Sequence, residues 1–222
     1  MPGREWIIRS EKNNSLIVFL RAPEPGRVKT RLAGDVGDKR ALTLYKSFAA
    51  ATLAAADRWC DASRSGEVLL SYYPENKLEL MQDWLGRERF YLAQSGADLG
   101  RRMSNAMASA FDRGAERVVL VGTDVPQISS RHLEQAFEIL HKKDVVLGPS
   151  LDGGYWLIGM NRKRFVPDIF SNVNWGSSAV FSETIGRCRE YRLTRTDIEV
   201  LLDIDTLSDL EMFKRLGLKT GQ

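Results

Sequence analysis

Four polar segments of this 222-residue chain carry the residue types that do chemistry on phosphorylated substrates. Arg21 to Arg31 (RAPEPGRVKTR) combines two prolines that fix a path, Gly26 that lets backbone approach a ligand, and the cations Lys29 and Arg31. A loop of that kind holds polyphosphate. Gly122 to Pro126 (GTDVP) places the Asp124 carboxylate directly after an apolar run, where it suits metal ligation. Leu201 to Asp205 (LLDID) carries Asp203 and Asp205, which share a side if the segment is extended, because side chains then alternate with period two. A hard divalent cation takes oxygen ligands from one or two such carboxylates plus phosphates. Gly148 to Trp156 (GPSLDGGYW) joins Asp152 to Gly153, Gly154, Tyr155 and Trp156, a combination suited to lining an acceptor pocket.

Each has a plainer competitor. Asp124 and Asp152 could be turn residues, Asp205 or Thr206 could cap the last helix, and Lys29 and Arg31 could be solvated charges. Asp203 is the substitute for Asp205 as a ligand.

Other chemistries are excluded by spacing. No GxGxxG follows the first apolar run, and GRVKT fails the Walker pattern because its Lys has no preceding Gly. His132 and His141 have neither Cys nor paired acids at ligand spacing, which argues against zinc or a His-based triad. Cys60 and Cys188 lie far apart and suit reduced thiols, hence a cytoplasmic location. The 32 Lys and Arg against 29 Asp and Glu leave a net charge of only +3, dispersed along the chain, too weak for a nucleic-acid footprint. No apolar run approaches the ~18 residues of a membrane span.

The elements that must position these segments alternate between short apolar runs and helical patterns, as in βαβ units with a mostly parallel sheet. Strands are expected at 15–20, 68–73, 89–93, 117–122, 144–147, 155–160 and 201–205. Helices are expected at 38–59, 78–85, 99–113 (capped by Asp98), 130–142, 177–189 (capped by Ser177) and 206–216. The four polar segments then follow carboxyl ends of strands, where open α/β sheets bind ligands. One domain over residues 15–222, after a polar extension at 1–14, fits the length. Trp6, Trp59, Trp84 and Trp175 read as packing residues.

The segments RAPEPGRVKTRLA, QSGADLGRRM, VLVGTDVPQIS, LGPSLDGGYWLIG, WGSSAVFSETI and LLDIDTLSDL, in this order, resemble GT-A-fold transferases labelled arsenosugar-biosynthesis or uncharacterised glycosyltransferases. More distantly they are similar to phospholactate and molybdenum-cofactor guanylyltransferases. The resemblance implies a Rossmann-like three-layer α/β fold of the nucleotide-diphospho-sugar transferase type and a nucleotide or nucleotide-sugar donor. It implies Mg2+ or Mn2+ on Asp124 and Asp205, and the nucleotide against Ala22, Pro23, Gly26, Thr30 and Thr123, with weaker contacts at Asp98, Leu99 and Gly100. Lys29 and Arg31 would take phosphate charge, and Asp152 would serve a small-molecule acceptor bound at Gly153, Gly154 and Tyr155. Glycosyl transfer is slightly favoured over nucleotidyl transfer, and an inactive nucleotide-binding regulator ranks last.

Overall fold

The computed structural model describes residues 13–63 and 65–218. Trp6 and most of the expected N-terminal extension lie outside the described residues.

β1 (Asn14–Arg21), β2 (Gly66–Tyr73), β3 (Phe90–Ala93) and β4 (Arg117–Val121) pair in parallel. With β5 (Val145–Pro149), β6 (Tyr155–Asn161) and β7 (Arg195–Asp197) they form a seven-stranded sheet in the order β3-β2-β1-β4-β6-β5-β7. Only β6 runs antiparallel to its neighbours β4 and β5. The central strands β1 and β4 are apolar on both faces, as a sheet covered on both sides requires.

Helices α1 (Thr30–Val36), α2 (Asp38–Ala62), α3 (Leu78–Leu85), α4 (Leu99–Asp112), α5 (Ser130–Leu140), α6 (Val180–Glu190) and α7 (Leu207–Arg215) complete the chain. One core layer packs Leu53 and Trp59 of α2 and Phe137 of α5 on the sheet, with Trp59 and Phe137 stacked 4.5 Å apart. The other packs Met107 and Phe111 of α4 and Cys188 of α6 on the opposite face. A smaller cluster of Leu32, Phe48, Ile204 and Leu210 ties α1, α2 and α7 together beneath the loop that ends in Asp205. Trp84 and Trp175 pack at the margins of the two main layers. No helix of the described residues is long and apolar enough to cross a membrane.

The structure departs from the sequence expectation at four places. The cationic loop ends early, because Thr30 and Arg31 already belong to α1. Ser177 does not cap α6: its hydroxyl accepts from Ala179 N within the preceding turn, and the helix begins at Val180. Leu201 to Asp205 is not a strand. It makes one bridge, Ser150 to Leu201, and the true edge strand is β7, whose three residues were too short to read. Finally, β6 returns antiparallel through the turn at Leu151 to Gly154, since a period-two pattern carries no information about strand direction.

Candidate functional site

The site lies past the carboxyl ends of β1 and β4. Gly122 and Thr123 carry the chain off β4, and the Asp124 carbonyl accepts from Ile204 N at 3.0 Å, which clips this loop to the LLDID segment. That segment is held in turn by Leu201 N donating to Pro149 O at 3.1 Å and by Gln127 Nε2 donating to Leu202 O at 3.3 Å. An unpaired but extended segment still alternates its side chains, so Asp203 and Asp205 face Asp124 together. One oxygen from each of Asp124, Asp203 and Asp205 lies within 4.8 Å of the others. Thr206, not Asp205, caps α7, in a reciprocal capping box with Asp209, and this leaves the Asp205 carboxylate free for the cluster.

Lys29 enters from the opposite side. It holds a left-handed backbone at φ 48, uncommon for a residue with a side chain, just before α1. Its ammonium lies 2.6 Å from Asp124 Oδ1, 2.8 Å from Asp205 Oδ1 and 3.8 Å from Asp203 Oδ1, with only 3% of the side chain exposed. Burial by itself would lower the Lys29 pKa, but the three carboxylates outweigh it and hold the amine above its ordinary value. Asp203 is pushed up to about 8, first by burial and then by the Asp124 charge. Its Oδ1 has no hydrogen-bond partner. Three acids face one buried ammonium and the exposed Arg31 guanidinium, 3.7 Å from Asp205, and the raised Asp203 carboxyl keeps its proton near neutral pH, which eases their repulsion.

A cleft of about 490 Å³ opens beside the cluster, lined by Lys29, Thr30, Arg31, Leu99, Thr123, Asp124, Tyr155, Asp203 and Asp205, and by Arg21, Tyr45, Gln94, Arg102 and Trp156. A second, of about 410 Å³, takes Arg31, Asp152, Asp203 and Asp205 among its walls. Asp152 and the carboxylate cluster are therefore neighbours.

Residues 56–177, more than half of the chain, match the family described as "Uncharacterized protein conserved in bacteria (DUF2064)". The chain belongs to this family. A Desulfovibrio desulfuricans G20 structure, provisionally named a nucleotide-diphospho-sugar transferase, is 36% identical, with 93% of this chain and 88% of that one covered and a TM-score of 0.86. Two more distant structures share the fold. A Mycobacterium tuberculosis H37Rv protein in complex with manganese is 14% identical, with 90% and 97% covered and a TM-score of 0.56. CMP:2-keto-3-deoxy-manno-octonic acid synthetase complexed with CTP is 12% identical, with 92% and 98% covered and a TM-score of 0.54. Among curated proteins none matches. The nucleotide-diphospho-sugar transferase fold implied by the motifs is thus the fold of this family member.

The remaining sequence candidates are placed as follows. Ala22 and Pro23 are buried behind the cleft, and Gly26, at φ 71, turns the loop against Asp38; none of the three lines the cleft. Asp98 caps α4, accepting from Arg101 N at 2.8 Å. Gly100 is a packing position, since a Cβ there would lie 2.5 Å from Phe170 O and 2.6 Å from Trp175 Nε1. Gly153, at φ 89, closes on Ser178 O, which a Cβ would meet at 2.1 Å. Asp152 shapes the same turn: its Oδ1 accepts from Ser150 Oγ and from Gly154 N at 2.9 Å, while Oδ2 has no partner among the described residues. Tyr155 presents its ring to the cleft, but its hydroxyl is buried, which pushes its pKa up.

The cleft also contains residues that sequence reasoning did not single out. Tyr45 on α2 grips the end of β1, its hydroxyl accepting from Arg21 N at 2.7 Å and donating to Arg21 O at 2.8 Å. Gln94, 8% exposed, donates from Nε2 to Ser71 O at 2.9 Å and Leu20 O at 3.4 Å, spanning the ends of β1 and β2. An aromatic at helical spacing and an amide after a strand have no distinguishing signal. Their roles come from contacts with residues far off in sequence.

Proposed function

We propose that this protein is a metal-dependent transferase acting on a nucleotide-activated substrate, and that it moves a glycosyl group from a nucleotide-diphospho-sugar to a small-molecule acceptor. The observation that carries this is the convergence of Asp124, Asp203 and Asp205 at the mouth of a cleft past the strand ends. The cluster fits a divalent cation. Oxygens around Mg2+ at ~2.1 Å stand roughly 3–4 Å apart, which oxygens lying within 4.8 Å of one another can reach, and Asp203 Oδ1 is an orphaned acceptor that a cation would satisfy. The manganese and CTP complexes of the distant fold relatives support the same reading.

Asp124, Asp203 and Asp205 would hold Mg2+ or Mn2+, which supplies positive charge against a departing diphosphate. Lys29 fixes the spacing of the carboxylates and limits their repulsion. Arg31 and Thr30, at the cleft rim, face the donor phosphates, and Thr123 and Leu99 line the space for its nucleoside. Asp152 Oδ2 is free to take the acceptor's hydroxyl proton while the acceptor oxygen bonds to the anomeric carbon. The bond from that carbon to the diphosphate breaks, and the nucleoside diphosphate leaves. We place the enzyme in the cytoplasm, where its two cysteines, which form no disulfide, stay reduced, with residues 15–222 acting as one catalytic domain.

The test is a thermal-shift panel of nucleotide sugars and nucleoside triphosphates with Mg2+, because a ligand of the folded state raises the melting temperature by mass action. A nucleotide-sugar hit is expected. Triphosphate hits without any sugar-nucleotide hit would replace glycosyl by nucleotidyl transfer, and no hit at all would overturn the reading.

A further inference from the structure

The three carboxylates and Lys29 account for one wall of the main cleft. The opposite chemistry is found at the ends of β1 and β2. The β1–β2 register sets Arg21 beside Tyr73, and the first turn of α4 brings Arg102 to the same ring. The guanidinium carbon of Arg102 lies 4.0 Å from the Tyr73 ring centroid and that of Arg21 lies 5.7 Å from it. Both arginines line the cleft.

Each guanidinium is tethered by one hydrogen bond to a carbonyl. Arg21 Nη1 donates to Arg27 O at 3.3 Å, and Arg102 Nε donates to Gly96 O at 3.2 Å. Among the described residues no carboxylate lies within ion-pair distance of either, although the chain carries 29 acidic residues and most of its other buried or cleft cations are paired. Both Nη groups of Arg102 are therefore left as a planar fork of donors, held in place from below by an aromatic face. A fork of this geometry suits the oxygens of a phosphate.

We propose that Arg21 and Arg102, braced on Tyr73, form an anion-binding wall that takes a phosphate of the diphosphate group of the bound nucleotide. This assignment rests on reading the cleft as the nucleotide site. It adds a second cationic group to Arg31 at the cleft rim, 72% exposed and leaning toward Asp205, and replaces Lys29, which is already committed to three carboxylates. A cleft with an acidic wall and a basic wall is complementary to a metal–diphosphate, whose cation and oxyanions would face the two walls in turn.

Inorganic pyrophosphate, titrated calorimetrically into the full chain with a chelator present, reads the basic wall without metal or nucleoside. Wild type is expected to bind it, and the double variant Arg21→Ala with Arg102→Ala to bind at least ~10-fold more weakly, the scale of losing charge-assisted contacts. Arg102→Lys, which keeps the charge but loses the fork and the stacking, is expected to fall between them and keeps the test open should the double variant fail to fold. Absence of pyrophosphate binding in wild type, or equal affinity in wild type and Arg102→Lys or the double variant, would overturn the proposal. Parallel titrations with Mg2+ use guanosine, uridine and their diphosphates. An equal loss for nucleoside and diphosphate in the variants would assign the guanidiniums to the base instead and would also overturn it. Pyrophosphate binding that depends on the two arginines, in a protein that takes none of these nucleotides, would leave the anion-binding wall standing and remove the nucleotide reading.

Discussion

Replacing Lys29 with Met separates the structural from the metal-related role of the acidic cluster. At an effective dielectric of ~20, an ammonium 2.6–2.8 Å from a carboxylate oxygen gains about 6 kcal/mol per pair, and the Asp203 contact at 3.8 Å about 4 kcal/mol. Most of that is offset by desolvating Lys29, whose side chain is 3% exposed. It is discounted further because Asp124 and Asp205 remain 42% and 41% exposed and are screened by water. Removing the amine while keeping an apolar stem of similar length leaves the three acids with only the exposed Arg31, 3.7 Å from Asp205, as a counterion. We expect a net loss of about 2–4 kcal/mol in metal-free protein, a fall in melting temperature of roughly 5–15 °C at this chain length. The same change removes a cation that competes with a metal for Asp124 and Asp205. Saturating Mn2+ should therefore raise the melting temperature of Lys29→Met more than that of wild type and recover at least part of the deficit. The assay is thermal melting of chelator-treated protein with and without Mn2+. A variant as stable as wild type without metal, or one whose deficit Mn2+ leaves untouched, would refute the view that Lys29 is the counterion of a metal-binding cluster.

Three further outcomes are expected. Arg31→Ala should weaken nucleotide binding about 2–5-fold in calorimetry, with little change in melting temperature, because its exposed pair with Asp205 at 3.7 Å is of the kind worth ~1 kcal/mol or less. Asp152→Asn should lower turnover more than donor affinity in steady-state kinetics, since Oδ1 keeps its turn contacts and only the proton-accepting Oδ2 is altered; collapse of donor affinity with turnover intact would remove the acceptor role. In metal-free protein the raised Asp203 pKa means that the folded state binds the extra proton, so this stabilising contribution is complete below 3.8 and is lost as pH rises toward about 8. Melting temperature without metal should accordingly fall more steeply from pH 5 to 8 in wild type than in Asp203→Asn, and identical slopes would discount the shift.

Much of the site was legible because its residues follow apolar runs. RVVLVG announces a buried strand whatever surrounds it, so Asp124 was placed at a strand end from these six neighbouring residues. Asp203 and Asp205 were read as facing one way through strand periodicity. That conclusion survives although the segment makes only one bridge, because alternation belongs to extended backbone rather than to pairing. What the sequence could not show is who meets whom. Lys29 and Asp205 are 176 residues apart, and nothing local says that the amine is sequestered by carboxylates instead of waiting for a phosphate. Arg102 is one of two adjacent arginines in a helical pattern, and its neighbour Arg101 is exposed; only the register of β1 on β2 brings Tyr73 and Arg21 to it. Likewise α1 was hidden by the prolines and glycine before it and by its length of seven residues.

The most direct measurement is calorimetric titration of Mn2+, with saturating nucleoside diphosphate, into wild type and Asp124→Asn, alongside metal-free melting curves. Asn keeps the shape and one oxygen at 2.6 Å from Lys29 but removes a charge from the cluster. Metal affinity should fall at least ~10-fold, and activity by about two orders of magnitude, as when one electrostatic contact to a developing charge is lost, while the metal-free variant stays folded. Equal Mn2+ affinity in the two proteins would contradict a metal centre built on Asp124, Asp203 and Asp205.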